Sequence, residues 1–216
     1  TERADNDPRG RPPPAAAVDG ALRPDASDSL LDARRAAAAF TVFDAELDAW
    51  LEHRQRRRAE GTDLPLLAYF AAAAAGALPM LPELSLPAPR FDVIRSDEQG
   101  AIGTVALDTE DLVSLDAIAH ALRDGARAAG ETGSRFALHD YGSSGCVLAA
   151  PLPLPPTGAA VLGIGRPRRG LVTSGAGTEQ GPRIGIQCTL TLTYDSHRIP
   201  LERANAFLAR LVRYRP

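Results

Sequence analysis

Two histidines of this chain stand where strand-like runs give way to polar turns. His197 lies in Tyr194-Asp195-Ser196-His197-Arg198, at the end of a stretch from Thr189 to Thr193 that alternates Thr with Leu. His139 lies in His139-Asp140-Tyr141-Gly142-Ser143-Ser144-Gly145, after the short apolar run Phe136-Ala137-Leu138. Each string combines an imidazole, which titrates near neutral pH, with a carboxylate and hydroxyls, the groups that general-base and nucleophilic acyl chemistry require. A strand end suits such work, because the strand fixes the backbone while the turn exposes the side chain. Metal chemistry is not expected: Cys146 and Cys188 are too far apart for a local metal knuckle and too few for a disulfide framework, and they read as buried free thiols. The chain contains no lysine, so it cannot itself carry a lipoyl or biotinyl group or form a Schiff base.

The elements that must position these groups follow from periodicity. Residues 1–29, rich in Pro, Ala, Asp and Arg, read as a solvated arm, and residues 30–216 as one domain. Ser29 or Asp28 caps a short helix expected through Ala39, followed by a strand over Phe40-Thr41-Val42-Phe43-Asp44. Ala45 to Glu60 has helical spacing, with Leu47, Trp50 and Leu51 on one stripe, a run of arginines (Arg54, Arg56, Arg57, Arg58) at a solvated end, and Gly61 as the stop. Pro65 to Leu78 is nearly all apolar and belongs in the core. Strands are expected at Phe91–Ile94 and Ala101–Leu107, and a helix from Ser114 or Asp116 to Ala129, ended by Gly130 to Gly133. Further strands follow at Phe136–Leu138, Ala159–Gly165 and Arg183–Tyr194. Residues 166–182 read as a hairpin connection. A last helix carries Ala204, Phe207, Leu208 and Leu211 on one face. His53 and His120, on predicted helices, are expected at the surface. Gly163-Ile164-Gly165 superficially suggests a dinucleotide loop, but the third glycine is misplaced and Pro167 opens no apolar helix.

Strands joined by turns and interleaved with helices point to an α/β two-layer sandwich with a mixed sheet. The net charge of -3 and pI near 5.8 argue against nucleic acid or a membrane surface as partner. No apolar run reaches membrane-span length once Tyr69, Gly76 and Pro79 are counted, and no signal peptide opens the chain, so a cytoplasmic protein is expected.

Taken together, four stretches resemble the catalytic domain of the dihydrolipoamide acyltransferases of 2-oxo acid dehydrogenase complexes, a superfamily that includes chloramphenicol acetyltransferase. They are Phe40 to Arg54, Met80-Leu81-Pro82-Glu83-Leu84, Phe136 through Ala160–Arg166 with its AILGIGR-like string, and Thr189 to Leu211 with a DHR-like turn. The resemblance implies a homotrimer with its active channel between subunits, acyl transfer from a thioester donor, a histidine in the DHR turn as base, and a hydroxyl on the other wall for the oxyanion. No covalently bound cofactor is implied. Acetyl-CoA is the expected donor, with an acyl carrier or a separate lipoyl protein as the other candidates, and a small-molecule hydroxyl the acceptor.

This chain departs from the family pattern. An ungapped count from Asp195 to Phe207 puts Ser196 in the slot of the family histidine, His197 in that of the arginine, and Pro200 and Leu201 in those of the Asp/Asn and Gly. The same count puts His139 near the slot of the oxyanion hydroxyl, with Asp140 beside it. Two arrangements stay open: His139 and Ser196 have exchanged walls, or a one-residue bulge after Asp195 returns His197 to the base position. The candidate catalytic set is therefore His139, Asp140, Asp195, Ser196 and His197, with Tyr141, Ser143, Ser144 and Tyr194 as candidate substrate contacts. The lone arm and the missing lysine lead to the expectation of a stand-alone enzyme, similar to the O-acetyltransferases of bacterial specialised metabolism that act on tetronate intermediates. The alternatives are a 2-oxo acid dehydrogenase core and a degenerate structural trimer.

Overall fold

The computed structural model describes residues 37–84, 90–96, 102–125, 134–151, 154, 158–172 and 182–216. The N-terminal arm, most of the helix expected before Ala39, the 130–133 stop and part of the Pro-rich stretches lie outside the described residues. The described elements run β1 (Ala38–Glu46), α1 (Asp48–Ala59), α2 (Leu66–Ala77), β2 (Phe91–Ser96), β3 (Ile102–Leu107), α3 (Leu115–Asp124), β4 (Phe136–Asp140), β5 (Ala160–Ile164), β6 (Arg168–Val172), β7 (Arg183–Asp195) and α4 (Leu201–Leu211).

The strands form one mixed sheet in the order β1-β7-β5-β4-β2-β3, with β6 also on β7. Only β2–β4 and β4–β5 are parallel. The register lines up a row across six strands, Val42-Thr191-Gly163-His139-Ile94-Thr104, whose side chains share one face. The next row, Thr41-Leu192-Leu162-Leu138-Val93-Val105, faces the other way. That second face is the core: Leu138, Leu162, Leu190, Leu192, Tyr194, Val93 and Val105 pack with residues of all four helices. Thr41 confirms the sidedness, since its hydroxyl donates to Asn205 Oδ1 of α4 at 2.8 Å. The alternating Thr and Leu of β7 thus divide between the two faces, as a two-residue period dictates.

Local chemistry explains the helices. Ser114 caps α3 by accepting from the Ala117 amide at 3.1 Å, and Gly125 closes it five residues before the expected end. Gly61 follows α1 at φ 89°. In α4 the buried residues are Ala204, Phe207, Leu208 and Leu211, the stripe read from the sequence. Trp50 is fully buried between Phe70 and Tyr214, and its indole N–H donates to the Tyr214 carbonyl at 3.0 Å.

Several expectations are corrected. Ala38 and Ala39 belong to β1, which continues to Glu46 because Ala45 and Glu46 pair with Cys188 and Gln187, so α1 starts only at Asp48. His139 and Asp140 are the end of β4, paired with Gly163 and Ile164. The supposed connection after residue 166 carries β6. His53 is half-buried, with its Nδ1 2.9 Å from the Tyr69 hydroxyl, whereas His120 is exposed and 2.9 Å from Asp124. No helix among the described residues is long and apolar enough to cross a membrane.

Candidate functional site

The sheet face opposite the helices is only partly covered. Ala137, Val161, Leu154 and Ile94 form a small apolar cluster on it, while Phe40 and Val42 of β1 remain 53% and 41% exposed. β1 thus carries apolar residues on both faces, the sequence signal for a strand covered on both sides. That signal points to this face as a surface in its own right, which the reading of the histidine strings overlooked.

His139 stands on this face, half-buried, with its ring stacked on that of Tyr141 at 3.8 Å between centroids. Burial holds the imidazole below the ordinary histidine value, and neighbouring Asp140 opposes this. A phenol face also attracts a charged ring; burial prevails, so the ring is neutral at pH 7. Asp140 points to the opposite face, where its Oδ1 accepts from the Ser143 amide at 3.0 Å. It shapes the turn rather than touching the histidine. The Ser143 and Ser144 hydroxyls donate to the Asp140 and Tyr141 carbonyls at 3.1 and 2.8 Å, which leaves their lone pairs facing outward from a one-turn 3-10 segment closed by Gly145 at φ 84°.

The glycines of the AILGIGR-like string serve packing. A Cβ on Gly163 would lie 2.8 Å from the Ala149 carbonyl oxygen and 3.2 Å from Tyr141 Cε2; one on Gly165 would lie 1.9 Å from the Val147 carbonyl oxygen. The string is therefore a groove in which the chain after the His139 turn lies, which the phosphate-loop comparison could not have suggested.

The other string ends β7. Asp195 is the last ladder residue, its Oδ1 accepting from the His197 amide at 3.0 Å and its Oδ2 3.3 Å from Arg198 Nε. Ser196 extends the ladder by one step: its amide and hydroxyl both donate to the Ala37 carbonyl, at 2.8 and 2.7 Å. The Ser196 and His197 side chains are exposed. Tyr194 is 2% exposed and its ring belongs to the core. His139 is level with Thr191, so Ser196 lies about 16 Å further along β7 and about 10 Å across two strand spacings. The two strings do not meet within one copy of the chain. Among the described residues no group of three His, Cys, Asp or Glu is placed to hold a metal.

A mixed sheet with helices on one face and a half-buried histidine on the other defines a two-layer α/β domain. No family model matches the chain. It is 32% identical over 178 residues to the dihydrolipoyllysine-residue acetyltransferase component of the pyruvate dehydrogenase complex of Mycobacterium bovis, an alignment covering 70% of this chain and 31% of that protein. The chain thus spans about a third of the length of the curated relative. The dihydrolipoamide acetyltransferase of Azotobacter vinelandii, whose catalytic mechanism has been investigated through one serine, one histidine and one asparagine, superposes with a TM-score of 0.69 at 18% identity, over 86% of this chain and 85% of that one. Chloramphenicol acetyltransferase superposes at 0.52 with 12% identity, over 88% and 94%. These likenesses place the chain in the superfamily of dihydrolipoamide acyltransferase and chloramphenicol-acetyltransferase-like catalytic domains.

Proposed function

We propose that this chain is an acyltransferase that moves an acetyl or related acyl group from a thioester donor, acetyl-CoA, to the hydroxyl of a small specialised-metabolite intermediate of the tetronate type. The site lies between adjacent copies of a homotrimer. The observation that carries this reading is His139, a half-buried imidazole held below the ordinary histidine value by burial, on the sheet face opposite the helices, with no hydrogen bond to its ring among the described residues. A neutral imidazole is the form that can accept a proton.

In the exchanged-wall arrangement, His139 takes the acceptor's proton as its oxygen attacks the thioester carbonyl. The Ser196 hydroxyl of the adjacent copy leaves the Ala37 carbonyl and donates to the oxyanion. Collapse expels the donor thiolate, which regains the proton from the imidazolium. The distance between His139 and Ser196 in one copy is what makes a second copy necessary. His197 is the base in the bulge arrangement; the unbroken ladder through Ser196 favours the exchange.

The likeness to the Mycobacterium bovis protein equally favours a second reading, in which the chain is the acyltransferase core of a 2-oxo acid dehydrogenase complex and the acceptor is a dihydrolipoyl thiol on another polypeptide. The chain has only two asparagines, Asn6 and Asn205, and the side-chain oxygen of Asn205 is taken by Thr41. An assay with acetyl-CoA and either dihydrolipoamide or an exocyclic hydroxymethyl acceptor separates the two. His139→Ala is expected to lower kcat/KM on the order of 10²-fold or more, with His197→Ala near wild type. The reverse ranking moves the base to His197, and no transfer to either acceptor leaves a structural trimer.

A further inference from the structure

Tyr141 follows His139 by two residues, just past the end of β4 where the backbone has turned to φ -80° and ψ -20°, and the two rings lie nearly parallel, 24° apart. Gly163 makes this possible. It is the β5 partner of His139, and a Cβ there would meet the Ala149 carbonyl oxygen at 2.8 Å and the edge of the Tyr141 ring at 3.2 Å, so the ring and the crossing chain share the space that its absence leaves. The Tyr141 backbone is held as well, its amide donating to the Ile164 carbonyl at 3.0 Å and its carbonyl accepting from the Ser144 hydroxyl at 2.8 Å.

We propose that Tyr141 is a positioning residue for His139: its ring, lodged against Gly163, fixes the imidazole in one orientation on the sheet face opposite the helices. This rests on the reading in which His139 is the base. Among the described residues no hydrogen bond or ion pair orients the ring. The strand partners of His139 are Ile94 and Gly163, which carry no charge. Asp140 is engaged with Ser143 on the other face, Arg95 is paired with Asp140 in the ladder, and the Cys146 thiol sits beside Tyr141 with its donor on the Leu148 carbonyl. An aromatic face suits the task, because a two-torsion side chain holds its partner by area rather than by a hydrogen bond that would compete for the ring nitrogens.

The test compares the whole chain with Tyr141→Leu, Tyr141→Phe and Gly163→Ala, reading steady-state kinetics and the NMR pH titration of the His139 ring. Tyr141→Leu and Gly163→Ala are each expected to cut kcat on the order of tenfold through misplacement of the base, with KM little changed and the His139 midpoint rising toward the ordinary value. Tyr141→Phe, which keeps the ring, should keep both. Two independent variants disturb the stack, so poor folding of one leaves the other to report. Wild-type kcat and ring signals in Tyr141→Leu, or a loss in Tyr141→Phe as large as in Tyr141→Leu, would overturn the proposal. If His139→Ala stays fully active, the base assignment falls, while the ring titration still decides whether Tyr141 governs the imidazole.

Discussion

Replacing Gly165 with alanine should destabilise the protein more than the same change at any other described glycine, since its new Cβ has the shortest approach to backbone. The new Cβ would come 1.9 Å from the Val147 carbonyl oxygen and 3.0 Å from that of Thr189. An ordinary carbon–oxygen contact is about 3.3 Å, so the crossing segment must retreat by roughly 1.4 Å. Both obstacles are backbone, and no side chain can rotate out of the way. The retreat would break the bond from the Arg166 amide to the Cys146 carbonyl at 2.7 Å and strain that from Gly165 to Thr189 at 2.9 Å. Overpacking costs about 1–3 kcal/mol and each lost hydrogen bond about 1 kcal/mol, so a total of about 3 kcal/mol is expected. For a chain of this size that lowers Tm by about 6–12 °C. Thermal and urea unfolding should be compared at one protein concentration, since assembly shifts apparent stability. A fall in Tm under about 2 °C would refute the claim that residues 146–149 lie against this glycine.

Two further outcomes follow from titratable groups. Of the two thiols expected to be buried, Cys146 is only part-buried, while Cys188 is fully buried and burial pushes its thiol up to about 12; iodoacetamide at pH 8 should label Cys146 in the native protein and Cys188 only after denaturation, as peptide mass spectrometry will read. His139 has a folded-state pKa below the ordinary histidine value of about 6.5. The unfolded chain therefore binds the proton first as pH falls, and stability is lost from about pH 6.5 down through the folded value. His139→Gln should show a flatter dependence of the urea midpoint in that window; identical slopes would contradict the burial of the ring.

The architecture was legible where a period was strong. The Leu190, Leu192, Tyr194 period of β7 and the Ala204, Phe207, Leu208, Leu211 stripe of α4 name the residues that reach the core, although Thr189, Thr191 and Thr193 are buried as well, on the other face of the sheet. Boundaries failed where a partner strand overrode local preference: Ala45 and Glu46 sit in a helical pattern yet are held by β7. The candidate site was legible as two strings of suitable residue types. What they touch was not, because contacts such as Tyr141 on His139, or His53 against Tyr69, depend on ring orientation and on distant elements. The absence of a side chain at Gly163 and Gly165 carries meaning only once the chain that crosses them is in place.

The pairing of β1 with β7 has a consequence for how this polypeptide comes into being. Among the described strands β1 borders β7 alone, and Ala38 finds its partner in Asp195. During synthesis the first strand must wait, its donors and acceptors open, until almost the whole domain has been translated. The sheet closes last at the edge that was made first, so vectorial folding gives this chain little protection, and such long-range closure is intrinsically slow.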